Sequence, residues 1–225
     1  MNTRTRGSKF EKAEPGTRTK LSRFTQLIAA SSLAVVVLGT GAQTALAYGT
    51  ALPCSSRAEY AAFAAWGDKA TYFTVSNGGF ENGSTDWSLS GGAKVVAGNE
   101  SYKVGGAADS HSLSIPFNGA AESRTFCVSR GEDAIRLFTT NSGVSGSILH
   151  VDAIVTSADN GNVATAAFDV NGNPSASGWA PTIQLKIPNM LGGSGTEQLT
   201  LKFSTRGTSA KWNVDDVFVD PFKSW

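Results

Sequence analysis

Two short segments far apart in the chain constrain its fold most. They are Asn77-Gly78-Gly79-Phe80-Glu81-Asn82-Gly83 with Trp87 behind it, and Trp212-Asn213-Val214-Asp215-Asp216-Val217-Phe218-Val219 near the C-terminal end. Each reads as one edge of the same β-sandwich. The first and last strands of an antiparallel sandwich commonly lie side by side, which would bring Glu81 and Asp215 within reach of one hard, oxygen-preferring cation.

The stretch between these segments supports the same class. From Thr71 on, short runs of period-two patterning are separated by Gly, Asn and Ser turns, as in an all-β domain. Strands are expected over 72–75, 87–90, 94–97, 112–115, 124–129, 134–140, 148–156, 163–170, 182–187, 198–204 and 212–219. The alternation is clearest late in the chain, where Ile183, Leu185 and Ile187 share one face and Leu199, Leu201 and Phe203 another. Asn160-Gly161 suits the positive φ of a tight hairpin. Asn171-Gly172-Asn173-Pro174 marks a further reversal, and Gly-rich 191–196 a surface loop. One helix is expected, over 58–66, where Tyr60, Phe63 and Ala64 fall on one side of an Ala-rich stretch ending at Gly67.

Residues 1–47 are expected to be a secretory signal. Seven basic residues lead into the apolar run from Leu27 to Leu38, and Ala45-Leu46-Ala47 offers the small residues of a cleavage site before Tyr48. That run is shorter than the roughly 20 residues of a membrane span, so no span is expected after cleavage. The leader holds 7 of the 19 basic and 2 of the 18 acidic residues, leaving 12 and 16 and a balance of −4. Nucleic acid is excluded as a partner, because phosphate binding needs a basic stripe. The remainder divides into an N-terminal extension, 48–70, and a single sandwich, 71–225. Cys54 and Cys127 are the only cysteines, and in a chain bound for an oxidising compartment they are expected to form a disulfide.

The opening Asn77-Gly78-Gly79-Phe80-Glu81 with Trp87 and the closing Asp215-Asp216-Val217 resemble the segments that bracket the jelly-roll carbohydrate-binding modules with a galactose-binding-like fold. The longer order Cys54, Gly78-Gly79-Phe80-Glu81, Trp87-Ser88-Leu89-Ser90-Gly91-Gly92-Ala93, Cys127, Ile135-Arg136-Leu137-Phe138, Trp179-Ala180-Pro181-Thr182 and Val214-Asp215-Asp216-Val217-Phe218-Val219 looks most like small secreted bacterial single-domain proteins of unassigned function. The resemblance implies a structural calcium ion held by Glu81 and Asp215, with Asp216 beside them. It also implies a non-catalytic module that recognises a carbohydrate or cell-surface polymer.

A sugar site needs a flat aromatic face together with polar partners for hydroxyls. Trp87 and Trp212 belong to the fold-defining segments and are expected in the core. Trp179 and Tyr102, both in loops, are the freer ligand-binding candidates, and Arg136 is a third. No enzyme is expected. His111 and His150 have no partner at zinc-ligand spacing, no nucleophile elbow occurs, and nothing singles out a carboxylate pair for glycoside hydrolysis. The alternative is an envelope structural or interaction protein whose sandwich binds a protein partner.

Overall fold

The computed structural model describes residues 54, 57–129, 132–141, 146–158, 160–172, 178–187, 196–207 and 209–220. All of them belong to one compact unit, residues 44–225. The expected leader, the reversal at Asn173-Pro174 and the loop at 191–195 lie outside them. Among the described residues no helix is long and apolar enough to cross a membrane.

The strands in chain order are β1 (Phe73–Thr74), β2 (Trp87–Ser90), β3 (Lys94–Ala97), β4 (His111–Pro116), β5 (Ala120–Ser123), β6 (Phe126–Ser129) and β7 (Ala134–Asn141). They continue with β8 (Ile148–Ser157), β9 (Val163–Asn171), β10 (Ala180–Pro181), β11 (Leu185–Lys186), β12 (Thr196–Arg206) and β13 (Lys211–Asp220). They form two antiparallel sheets. One runs β10-β7-β13-β4-β3, with β1 on β13 and β11 on β7; the other runs β2-β5-β12-β8-β9, with β6 on β12. This is a jelly-roll β-sandwich, as expected.

The alternation of each strand builds the core. Leu113, Ile115, Leu137 and Val214 project inward from the first sheet and meet Leu149, Val151, Leu199, Leu201 and Phe203 from the second, all fully buried. Trp87 and Trp212 are buried with them. The two ends of the domain do lie side by side: Phe73 pairs with Val219 and Thr74 with Phe218. The Val75 N–H donates to the Val217 carbonyl, and the Val217 N–H to the Gly78 carbonyl. A Cβ on Gly78 would sit 2.8 Å from the Val217 oxygen, so glycine permits this approach. At the other hairpin, Gly161 adopts φ 70° between β8 and β9.

Three local expectations give way. Of residues 58–66 only Ala64–Trp66 is helical, as a single 3₁₀ turn. An isolated helix of nine residues is marginal, and Tyr60 instead exchanges both backbone hydrogen bonds with Tyr72. The expected strand 182–187 is broken, because the Thr182 hydroxyl accepts the Leu137 N–H in place of a ladder carbonyl. Leu185 and Ile187 stay in the core, whereas Ile183 is 80% exposed. Finally, β5 and β10 form where no strand was expected.

A second, smaller cluster covers the outer face of the first sheet, where Phe63 of the extension stacks on Phe138 and meets Tyr72 and Phe218 edge-on. The Cys54–Cys127 disulfide holds this extension to β6. Arg57 adds a bidentate pair with Glu132 at 2.6 and 2.7 Å, a bond to the Cys127 carbonyl and a cation–π contact with Phe73.

Candidate functional site

The site begins with an irregularity in β13. Asp215 pairs with Phe138, but the next partner of Arg136 is Phe218, so one extra residue is inserted. Such a bulge re-aims side chains, and here Asp216 takes the left-handed conformation at φ 47°. Inward positions shift from Trp212 and Val214 to Val217 and Val219. Both aspartates are 1% exposed.

The bulge faces the loop between β3 and β4. Asp215 accepts the Glu100 N–H at 2.8 Å and the Asp216 N–H at 2.9 Å; Asp216 accepts the Gly105 N–H at 2.8 Å. Glu100, fully buried, receives the N–H groups of Tyr102 and Val104 on its carboxylate. Glu100, Asp109 and Asp216 each offer a carboxylate oxygen, and these lie within 4.8 Å of one another. Asp109 Oδ2 is buried without a hydrogen-bond partner among the described residues.

No ion pair among the described residues reaches these carboxylates. Burial, then the charge of Asp109, pushes Asp216 up to about 7. Burial, together with the charge of Asp216, pushes Asp215 up to about 8. Asp109 is also raised, by burial and by Glu81 and Glu100. Buried like charges disfavour ionisation in this way until a cation or proton neutralises them. A donor set made only of oxygens fits a hard divalent cation such as calcium. The space is shaped by glycine: a Cβ on Gly105 would stand 2.5 Å from Asp216 Oδ1 and 2.6 Å from Asp109 Oδ2.

Of the residues expected to hold calcium, only Asp216 stands in this converging trio. Asp215 is turned onto backbone N–H groups around it. Glu81 accepts the N–H groups of Ser110 and His111, the Ser110 hydroxyl and the His111 ring. Against the effect of burial, these bonds hold its carboxyl down to about 2. Its charge still acts on Asp109 and Asp216. Glu100 and Asp109 were missed because no spacing rule links a loop carboxylate to a distant strand. The available signal was a loop with acidic residues at Glu100 and Asp109 and glycines at 98, 105 and 106.

The same loop carries Tyr102, which is 50% exposed. Its ring meets Trp66 edge-on at 4.8 Å and lies 5.8 Å from Phe138, and its hydroxyl donates to the Trp179 carbonyl at 3.2 Å. Tyr102 and Trp179 are therefore brought together, with Trp66 as an unforeseen third aromatic, all part-exposed on the outer face of the first sheet. Arg136 is placed differently. It is 8% exposed, lies over the Phe63 ring, pairs with Asp68 at 2.8 Å and donates to the Thr182 carbonyl. Its guanidinium thereby supports the fold beneath the aromatics.

No protein-family model matches this chain, and no curated protein matches it. Several solved structures do. A family 61 carbohydrate-binding module in complex with β-1,4-galactotriose is 18% identical over 65% of this chain and 96% of its own, with a TM-score of 0.40. The xylan-binding domain CBM22-1 of Paenibacillus barcinonensis Xyn10C is 17% identical over 65% and 93%, TM-score 0.39. An enzymatically active tailspike domain of bacteriophage CBA120 is 12% identical over 65% of this chain and 21% of its own, TM-score 0.43. Among the solved structures it is similar to, the chain thus resembles several jelly-roll carbohydrate-binding modules.

Proposed function

We propose that this chain is a secreted, non-catalytic binding module that recognises a carbohydrate or cell-surface polymer through the aromatic surface of Tyr102, Trp66 and Trp179. The observation that carries this reading is the half-exposed Tyr102 ring, set beside two tryptophans by a loop whose backbone is fixed on buried carboxylates. An exposed aromatic surface of this kind suits the apolar face of a pyranose, and neighbouring hydroxyl and carbonyl groups suit its hydroxyls.

Glu100, Asp109 and Asp216 would hold a structural calcium ion, with Glu81 and Asp215 supporting the loop around it. Bound there, calcium supplies the positive charge that the buried carboxylates lack. Gly105→Ala should abolish a calcium-dependent rise in melting temperature while leaving the far-ultraviolet circular dichroism unchanged, because the new Cβ occupies the space between Asp216 and Asp109.

Affinity electrophoresis and pull-down of the oxidised protein against soluble and insoluble polysaccharides and cell-wall preparations test the binding reading. Tyr102→Ala is expected to weaken retention about tenfold, the loss of a central aromatic contact. Retention of no polymer, or unchanged retention of the variant, would reject it; specific capture of one protein in their place would favour the interaction-protein alternative.

A further inference from the structure

Among the described residues the longest strand at a sheet margin is β9, which ends the second sheet and runs nine residues in unbroken register with β8. Its pairing leaves a row of backbone polar groups facing outward. The Ser157 N–H donates to the Asn162 carbonyl and the Gly172 N–H to the Ser147 carbonyl. By the alternation of an antiparallel ladder, Ala164, Ala166, Phe168 and Val170 therefore exchange hydrogen bonds with β8. The N–H and C=O groups of Val163, Thr165, Ala167, Asp169 and Asn171 point away from the sheet, and all five residues are exposed, with no strand beside them among the described residues.

Sheet margins are ordinarily kept short or guarded by lysine, proline or a bulge. Every other marginal strand among the described residues is two to four residues long, and of these β10 carries Pro181 and β3 carries Lys94. By contrast, β9 has no lysine, arginine, proline or bulge. Its one charged side chain, Asp169, is held by the His150 ring at 2.5 Å. The core is also left open here: Ala166, Phe168 and Val170 pack against it only half-buried, whereas their partners Ala153, Val151 and Leu149 on β8 are fully buried.

We propose that β9 is an interface between two copies of this chain, joined antiparallel about a two-fold axis at Ala167. The strand is its own complement in that register. Each outward N–H of one copy meets an outward carbonyl of the other, with Val163 facing Asn171, Thr165 facing Asp169 and Ala167 facing itself. On the core side Phe168 meets Ala166 and Val170 meets Ala164, a large residue against a small one each time. Like charges directly opposite would oppose pairing. Here each Asp169 lies opposite a threonine, and the two aspartates stand about 13 Å apart along the strand at ~3.3 Å per residue. A foreign extended segment could satisfy the backbone alone; the match of sizes and charge is what a second copy adds, and two-fold pairing is the commonest way for copies of one chain to close.

Sedimentation equilibrium of the full oxidised protein, from micromolar to millimolar concentration, should show monomer and dimer in exchange. Ala167→Pro removes an outward N–H that β8 does not use. It should keep the far-ultraviolet circular dichroism and weaken the dimer about tenfold, the loss of the hydrogen bonds at the axis. Ala167→Lys sets like charges face to face and should act in the same direction, which keeps the test valid if the proline variant fails to fold. Cysteines read the register. The two Cα atoms of Ala167→Cys would lie about 5.5 Å apart, within disulfide reach, whereas those of Thr165→Cys would be separated by about 13 Å along the strand. Ala167→Cys should therefore cross-link two copies and Thr165→Cys should not. Tyr102→Ala should leave the dimer unchanged, because its aromatic surface lies on the outer face of the first sheet. A monomer over the whole range, a dimer indifferent to both Ala167 variants or lost in Tyr102→Ala, or equal cross-linking at 165 and 167 would overturn the proposal.

Discussion

Asp216→Asn is expected to raise the melting temperature of the protein in chelator and to erase its response to calcium. Asparagine tolerates the left-handed φ of 47° at this position, and its side-chain oxygen can still accept the Gly105 N–H. What disappears is a buried charge facing Asp109 and Glu100. In the wild type without metal, stability should fall as pH rises. Asp216 and Asp215 titrate near 7 and 8 when folded, against about 3.9 for an unfolded aspartate. The stabilisation is therefore fully present below about pH 4 and is lost as pH climbs through 7 to 8, because the folded state keeps protons that the unfolded chain has released.

Calcium bound at this site would compete with those protons, so its benefit should grow over the same interval. At about a hundred times its dissociation constant it would add about 2.7 kcal/mol, or about 5–11 °C at ~2–4 °C per kcal/mol for a domain of this size. Calorimetry at pH 5, 7 and 8.5, with EDTA or with calcium, reads both effects. A wild type indifferent to pH and calcium, or an Asp216→Asn protein that still responds to calcium, would remove the metal site.

Reducing the disulfide should cost even more. Cys54 and Cys127 are 73 residues apart, and opening such a loop releases about 4 kcal/mol of constraint on the unfolded chain. That corresponds to a fall of about 8–16 °C. The Cys54→Ser/Cys127→Ser protein should match the reduced wild type. Amide exchange should accelerate first at Tyr60 and Tyr72, whose bridge anchors the extension. A shift below about 2 °C would show that Arg57, Glu132 and the Phe63 cluster hold the extension by themselves.

Much of this architecture was legible in the residues. The long late strands announced themselves through Leu199, Leu201 and Phe203, because a half-buried strand must alternate. Adjacency of the two ends followed from reading both as strands of one antiparallel sandwich, although the closing strand is not an edge: β13 lies between β7 and β4. Ala120–Ser123 was hidden, since Ala-Ala-Glu-Ser has little intrinsic strand preference; pairing with β2 and β12 makes it a strand. Ile183 misled because its spacing matched Leu185 while the Thr182 hydroxyl broke the ladder between them. The candidate site was half visible. The closing aspartates stood out, but a bulge cannot be read from Val-Asp-Asp-Val, and its phase shift decides which carboxylates converge. Trp66 joined Tyr102 only through the tertiary docking of the extension.

The last of the described strands is also a middle one: β13 lies between β7 and β4 and carries β1 as well. Until residues 211–220 leave the ribosome, β7 and β4 have no partner between them, and the sheet cannot assemble from its margins inward. The strands β1, β3 and β4 therefore wait for a segment about a hundred residues further along the chain, and the first sheet closes late relative to the synthesis of its own early strands.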